Sequence, residues 1–122
     1  MTHSDTDIPT EIRLNPAKNE LKITFDNGNV FAFSAEFLRV MSPSAEVKGH
    51  TPDQKKTVGG KKHVTIAQIE ATGNYAIRPK FSDGHQTGLY SWSYLYELGE
   101  NQEKLWQDYL DELEQKGMSR DR

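Results

Sequence analysis

Hydrophobic and polar residues alternate near the start of the chain in the pattern of β-strands. Apolar and polar positions alternate over Leu21–Phe25, the period of a half-buried strand. Asp26–Asn29 supplies turn residues, and Val30–Phe33 is hydrophobic again, so the sequence predicts a β-hairpin. Glu11–Leu14 predicts a short strand before it. Residues 1–10 are polar and are predicted to be a disordered tail.

A helix and a loop are predicted after the hairpin. Ser34 is a favourable N-cap for a helix over residues 35–41. Pro43 ends this helix, because the residue before a proline is displaced from the α region. Residues 48–62 are rich in lysine and glycine with little apolar content, which predicts a long mobile loop.

A three-strand meander is predicted next. Strands are expected over Val64–Ile69, over Tyr75–Ile77 and over His85–Tyr90, with turns between them. Pro79 predicts a sheet edge or a bulge, since proline cannot donate to a ladder.

Two helices are predicted at the C-terminal end. Ser91 caps a short helix that ends at Gly99, and Asn101 caps a second helix that ends at Gly117. The second helix has an apolar stripe formed by Leu105, Trp106, Tyr109, Leu110 and Leu113. The fold class is therefore α+β: an antiparallel sheet with one early helix and two late helices. Residues 11–117 are expected to form a single domain, followed by a tail over 118–122.

Composition excludes several classes of protein. The 122 residues contain no cysteine, so a disulfide framework or a cysteine-ligated zinc or iron–sulfur centre is excluded. No apolar run approaches the length that spans a bilayer, and the N-terminus does not resemble a signal peptide. We therefore expect a cytoplasmic protein with no membrane partner.

The net charge of −3 hides an uneven distribution. Lysines concentrate in the predicted loop, whereas carboxylates concentrate in the two C-terminal helices, so different faces are available to different partners. The lysine-rich segment has no interleaved aromatic or arginine residues and no known reading motif, so nucleic-acid binding is not expected. It also lacks the residues that flank the lysine of a phosphate-binding loop.

The candidate chemistry lies around one histidine. His85 follows an Asp-Gly turn, and it is interpreted either as a ligand or proton carrier, or as a structural group whose ring hydrogen-bonds the Ser42–Ser44 segment. The candidate polar site consists of Ser42, Ser44, Glu46, His50, Asp83 and His85. A serine–histidine pair invites comparison with hydrolases, but no oxyanion hole or nucleophile elbow accompanies it. Catalysis is therefore not predicted. The candidate interaction surface consists of the aromatic residues Tyr90, Trp92 and Tyr94.

Two segments carry a family resemblance. Residues 83–95 read Asp-Gly-His-Gln-Thr-Gly-Leu-Tyr-Ser-Trp-Ser-Tyr-Leu, and residues 38–46 read Leu-Arg-Val-Met-Ser-Pro-Ser-Ala-Glu. Over about residues 11–100 the chain resembles the N-terminal domain of gamma-butyrobetaine hydroxylases and trimethyllysine dioxygenases. Small bacterial proteins consist of such a domain alone, and it is similar to a domain appended to some P-loop ATPases that carry iron–sulfur clusters. The hydroxylase reaction belongs to a separate, larger domain.

The resemblance also implies a structural zinc site held by three cysteines and one histidine. Its ligand positions fall on Ser42, Ser44, Val47 and His85 of this chain. A hydroxyl binds zinc poorly and a valine cannot bind it, so no cofactor is expected.

Three hypotheses follow. The first is a small non-catalytic binding or accessory domain with a protein partner, linked through its family to iron–sulfur or oxygenase systems. The second is a metal-binding domain that holds zinc or iron through His85 together with His50, Glu46 or Asp83. The third is an enzyme with an unrecognised reaction.

Overall fold

The computed structural model of the chain describes residues 8–43 and 58–121. In this part of the chain two antiparallel sheets and three helices form an α+β fold, as predicted. The elements in order are β1 Pro9–Leu14, β2 Glu20–Phe25, β3 Val30–Ser34, α1 Ala35–Val40, β4 Ile66–Thr72, β5 Ala76–Phe81, β6 Tyr90–Ser91, α2 Trp92–Glu100 and α3 Gln102–Gln115.

The first sheet has the order β1-β2-β3 and contains the predicted hairpin. The alternation in β2 sends Leu21, Ile23 and Phe25 into the core with at most 1% exposure. β1 begins at Pro9, earlier than predicted, because the backbone N–H of Asp26 donates to the carbonyl of Ile8 at 2.9 Å.

The first helix, α1, joins this sheet to the rest of the domain. The hydroxyl of Ser34 accepts a hydrogen bond from the backbone N–H of Phe37 at 3.0 Å, which confirms the predicted N-cap. Phe37 and Leu38 are buried against the sheet.

The second sheet has the order β4-β5-β6. Its last strand is only two residues long and pairs only with Ala76 and Ile77 of β5. Pro79 therefore lies in a stretch of β5 that lacks β6 as a neighbour, in agreement with the predicted edge.

The predicted strand over residues 85–89 is wrong, because this segment is not paired with β5 and pairing begins only at Tyr90. The backbone N–H of Phe81 donates to the carbonyl of His85 at 2.9 Å, and the side chain of Asp83 accepts the backbone N–H of His85 at 3.0 Å. These bonds close the turn at residues 82–84 that separates β5 from the unpaired segment.

The start of α2 agrees with the prediction, whereas the place where α2 ends does not. Ser91 caps α2 by accepting the backbone N–H of Tyr94 at 3.1 Å, as predicted. Gly99 does not end α2 but lies within it, packed so closely on Phe31 that a Cβ atom would overlap the ring. Asn101 precedes α3 without capping it through its side chain, whose amide donates to the carbonyl of Glu97 at 2.9 Å. Gly117, at φ +64°, ends α3 as expected.

The main core lies between the two sheets and also includes the inner faces of α1 and α2. A smaller cluster of Val40, Tyr109 and Leu113 attaches α3 to the end of α1. Val58 packs on this cluster, and its carbonyl accepts the hydroxyl of Tyr109 at 2.6 Å. Residues 58–62, predicted as part of the loop, thus include positions with defined partners. No helix in the described ranges is long and apolar enough to cross a membrane.

Candidate functional site

The contact between Ser42 and His85 is the centre of the predicted polar site. The hydroxyl of Ser42 lies 2.9 Å from Nε2 of His85, and the two residues are only 1% and 8% exposed. Ser42 follows the end of α1, whereas His85 lies in the turn after β5. The hydrogen bond joins two segments that are 43 residues apart, which is the contact that the structural interpretation of His85 expects.

Asp83 is the second fixed group of the site. One carboxylate oxygen accepts the backbone N–H of His85, and the other accepts Nε of Arg39 at 2.8 Å and Nζ of Lys61 at 2.5 Å. Burial raises the pKa of this carboxyl, but the hydrogen bonds from Lys61, His85 and Arg39 outweigh burial and bring the pKa down to about 2. Asp83 is therefore ionised at neutral pH and holds three segments together.

Arg39, Ser42, Asp83 and His85 together form a joint between α1 and the β5–β6 connection. Tyr90 belongs to this joint and not to a surface, which corrects its prediction as part of an interaction surface. The residue is fully buried, and its hydroxyl donates to the carbonyl of Leu38. Burial raises the pKa of the Tyr90 hydroxyl, although a hydrogen bond with Ser42 acts in the opposite direction. The alternation of β6 directs Tyr90 inward, and residue 91 takes the outer position.

The other two aromatic candidates are half-buried, and their polar atoms form hydrogen bonds within the domain. Trp92 donates its ring N–H to the carbonyl of Asn74 at 2.8 Å. Tyr94 donates its hydroxyl to the carbonyl of Met41 at 2.5 Å, and burial raises its pKa to about 12. The three aromatic residues therefore do not form one exposed patch.

Gly88 is a contributor that the sequence analysis did not identify. A Cβ atom at this position would overlap the hydroxyl of Ser42 and press on the ring of Tyr90. Only a glycine lets the backbone approach the joint this closely. The sequence feature that could have indicated this role is the glycine of the Thr-Gly-Leu segment directly before Tyr90.

The serine–histidine pair lies inside the domain. Ser42 is 1% exposed, and its hydroxyl bonds the ring of His85. The contact of Asp83 with His85 uses the backbone N–H of His85, which does not orient the ring as a catalytic triad requires.

The metal ligands implied by the resemblance do not fit zinc. Ser42 offers a hydroxyl that already bonds His85, and position 47 is a valine. Within residues 8–43 and 58–121 no group of three histidine, aspartate or glutamate side chains is placed to hold a metal ion. Ser44, Glu46 and His50 lie outside the described residues.

A groove on another face was not predicted. It has a volume of about 580 Å³ and lies where the edge of the first sheet meets the junction of α2 and α3. Trp106 supplies its accessible aromatic ring, whose centroid lies 6.3 Å from that of the buried Phe37 ring. Glu20, Glu100 and Glu103 supply three carboxylates, and none of the residues that line the groove is basic. The acidic helices were visible in the sequence, but the position of Glu20 beside them depends on the fold.

The family follows from the comparison of the sequence with known families. The family described as gamma-butyrobetaine hydroxylase-like, N-terminal, matches residues 12–96, and this range contains the whole Ser42–His85 joint. The chain belongs to this family. A comparison with curated proteins gave no match.

Three solved structures are similar to this chain. Two are solution structures determined by NMR: one is 44% identical with a TM-score of 0.81, covering 94% of this chain and 90% of its own. The other is 48% identical with a TM-score of 0.82, covering 98% and 89%. The third is a crystal structure of a protein of unknown function from Acidithiobacillus ferrooxidans ATCC 23270, assigned to the DUF971 family. It is 33% identical with a TM-score of 0.62, covering 75% of this chain and 91% of its own.

Proposed function

We propose that this domain is a non-catalytic protein-binding module, and that the groove between the first sheet and the last two helices is its binding surface. The groove carries the proposal because it combines an open cleft, an accessible aromatic ring and three carboxylates. The described part of the predicted polar site supports it indirectly, because Ser42, Asp83 and His85 are engaged in joining α1 to the β5–β6 connection.

From the charge of the groove we infer that the partner is a basic segment of another protein. Lysine and arginine side chains place their methylenes on aromatic rings while their charged ends reach carboxylates, which matches the half-buried ring of Trp106 together with Glu100 and Glu103. The family resemblance adds the expectation that this partner belongs to an oxygenase or iron–sulfur system.

The groove is tested with a lysine peptide and a charge reversal. The probe is the capped peptide acetyl-Ala-Lys-Leu-Lys-Ala-amide, titrated into ¹⁵N-labelled protein. We expect amide shifts at the groove, and we expect Glu103→Lys to weaken binding by at least about tenfold because an attractive contact becomes repulsive.

Glu114→Lys is the matched control, because Glu114 lies exposed on the same helix outside the groove. Equal weakening by both variants would indicate a general charge effect. An absence of shifts at the groove would remove the proposal.

A further inference from the structure

Residues 118–121, which follow α3, place one arginine against the start of α1. The guanidinium of Arg120 donates from Nε and Nη2 to the two carboxylate oxygens of Glu36, both at 2.8 Å. Such a two-point contact matches the planar guanidinium to the planar carboxylate, a geometry that the ammonium of lysine cannot reproduce.

The carboxylate in this contact requires a cation. The side chain of Glu36 is only 6% exposed, whereas that of Arg120 is 38% exposed. A buried carboxylate without a counter-charge is costly, because water no longer solvates it. The pocket therefore exists as a site for positive charge, and the more exposed partner is the one that can leave.

An aromatic ring completes the site. The guanidinium carbon of Arg120 lies 5.3 Å from the centre of the Trp106 ring, within the range of a cation–π contact. Trp106 also lines the groove described above. The arginine pocket is thus continuous with the proposed binding surface through one shared side chain.

The backbone around Arg120 forms a turn, and two hydrogen bonds hold this turn against residues 60–62. The N–H of Gly60 donates to the carbonyl of Ser119 at 2.9 Å, and the N–H of Lys62 donates to the carbonyl of Arg120 at 3.0 Å. Ser119 and Asp121 are exposed, so apart from Arg120 the segment buries little. Segments with few buried contacts are the ones that open at low free energy.

We propose that Glu36, Trp106 and the backbone of residues 60–62 form a recognition site for an arginine in a short turn-forming peptide segment. Residues 118–121 fill this site within the chain, and an arginine of the protein partner displaces Arg120. The role of the partner rests on the proposed function, whereas the pocket is testable without one.

The test removes the Arg120 side chain from the pocket and then adds a free peptide that contains arginine. In full-length Arg120→Ala, the capped tripeptide acetyl-Ser-Arg-Asp-amide is expected to bind saturably and to raise the thermal midpoint. Wild-type protein is expected to bind the same peptide at least about tenfold more weakly, because Arg120 competes for the site. The peptide with lysine in place of arginine is expected to lose at least about tenfold in affinity.

The double variant Arg120→Ala, Glu36→Gln is the control, and it is expected not to bind. Equal binding of the arginine and lysine peptides, or equal binding to wild-type protein, would overturn the proposal, as would no binding to Arg120→Ala. If Arg120→Ala does not fold, the measurement moves to wild-type protein at high peptide concentration. There the NMR signals of residues 118–121 must shift to displaced positions, and their constancy at saturating peptide would overturn the proposal.

The two experiments distinguish failure of the groove proposal from failure of the pocket proposal. The lysine peptide and Glu103→Lys test the groove, whereas the arginine peptide and Glu36→Gln test the pocket. Binding of the arginine peptide to Arg120→Ala, together with no binding of the lysine peptide at the groove, would leave the pocket standing and remove the groove.

Discussion

Replacing His85 by alanine is the sharpest test of the joint between α1 and the β5–β6 connection. The change leaves the hydroxyl of Ser42, which is 1% exposed, without its imidazole partner. The Ser42 hydroxyl keeps its hydrogen bond with Tyr90, so the loss of the imidazole partner costs about 0.5–1.5 kcal/mol. The lost burial of a ring that is 8% exposed and contacts Phe81 adds roughly 1 kcal/mol. We expect a total loss of about 1.5–2.5 kcal/mol.

Equilibrium unfolding in urea measures this loss directly. With the slope expected of a small domain, the midpoint of His85→Ala should fall by roughly 1–3 M. The melting temperature should fall by on the order of 10 °C.

His63→Ala is the matched control, because His63 is exposed and its replacement should change stability by less than about 0.5 kcal/mol. A double-mutant cycle with Ser42→Ala should yield a coupling of about 1 kcal/mol. An unchanged midpoint for His85→Ala, or a coupling near zero, would refute the reasoning. His85 would then be the first residue to test for ligand binding.

Two further predictions concern Asp83 and Gly99. The pKa of Asp83 is about 2 in the folded chain, below its ordinary value of 3.8, so its contribution is complete above about pH 4 and is lost as the pH falls through 2. After allowance for solvent screening this contribution amounts to about 1 kcal/mol. In Asp83→Asn, the free energy of unfolding from urea titrations should therefore depend less on pH between pH 4 and 2. An unchanged pH dependence in this range would contradict the prediction. Gly99→Ala should destabilise by roughly 1–3 kcal/mol, because the new methyl meets the ring of Phe31. Thermal unfolding measures it, and a stabilised variant would show that Gly99 acts only through helix propensity.

Features that depend on neighbours in sequence were predictable. Ser34 and Ser91 cap their helices because a hydroxyl reaches a backbone N–H three residues later whatever the rest of the fold does. The hairpin around Gly28 follows from local turn chemistry in the same way.

Features that depend on distant neighbours were not predictable from local pattern. Gly99 was expected to end a helix, but its role is to admit the ring of Phe31, which is a contact between elements far apart in sequence. The pairing of Glu36 with Arg120 spans 84 positions, and neither residue belongs to a motif. The Ser42–His85 contact is an exception, because the family resemblance placed both positions in one site before the fold was known.

The two tryptophans of the chain offer a way to observe two regions of the domain separately. Trp106 lies under the guanidinium of Arg120, whereas Trp92 is anchored by its ring N–H to the carbonyl of Asn74. Indole emission responds to a nearby cation and to solvent, so a Trp92→Phe variant makes Trp106 the only indole fluorophore. Its emission would report release of residues 118–121, while Trp106→Phe would leave a signal that follows the second sheet. Departure of the terminal segment and global unfolding thereby become separate optical transitions of one small protein.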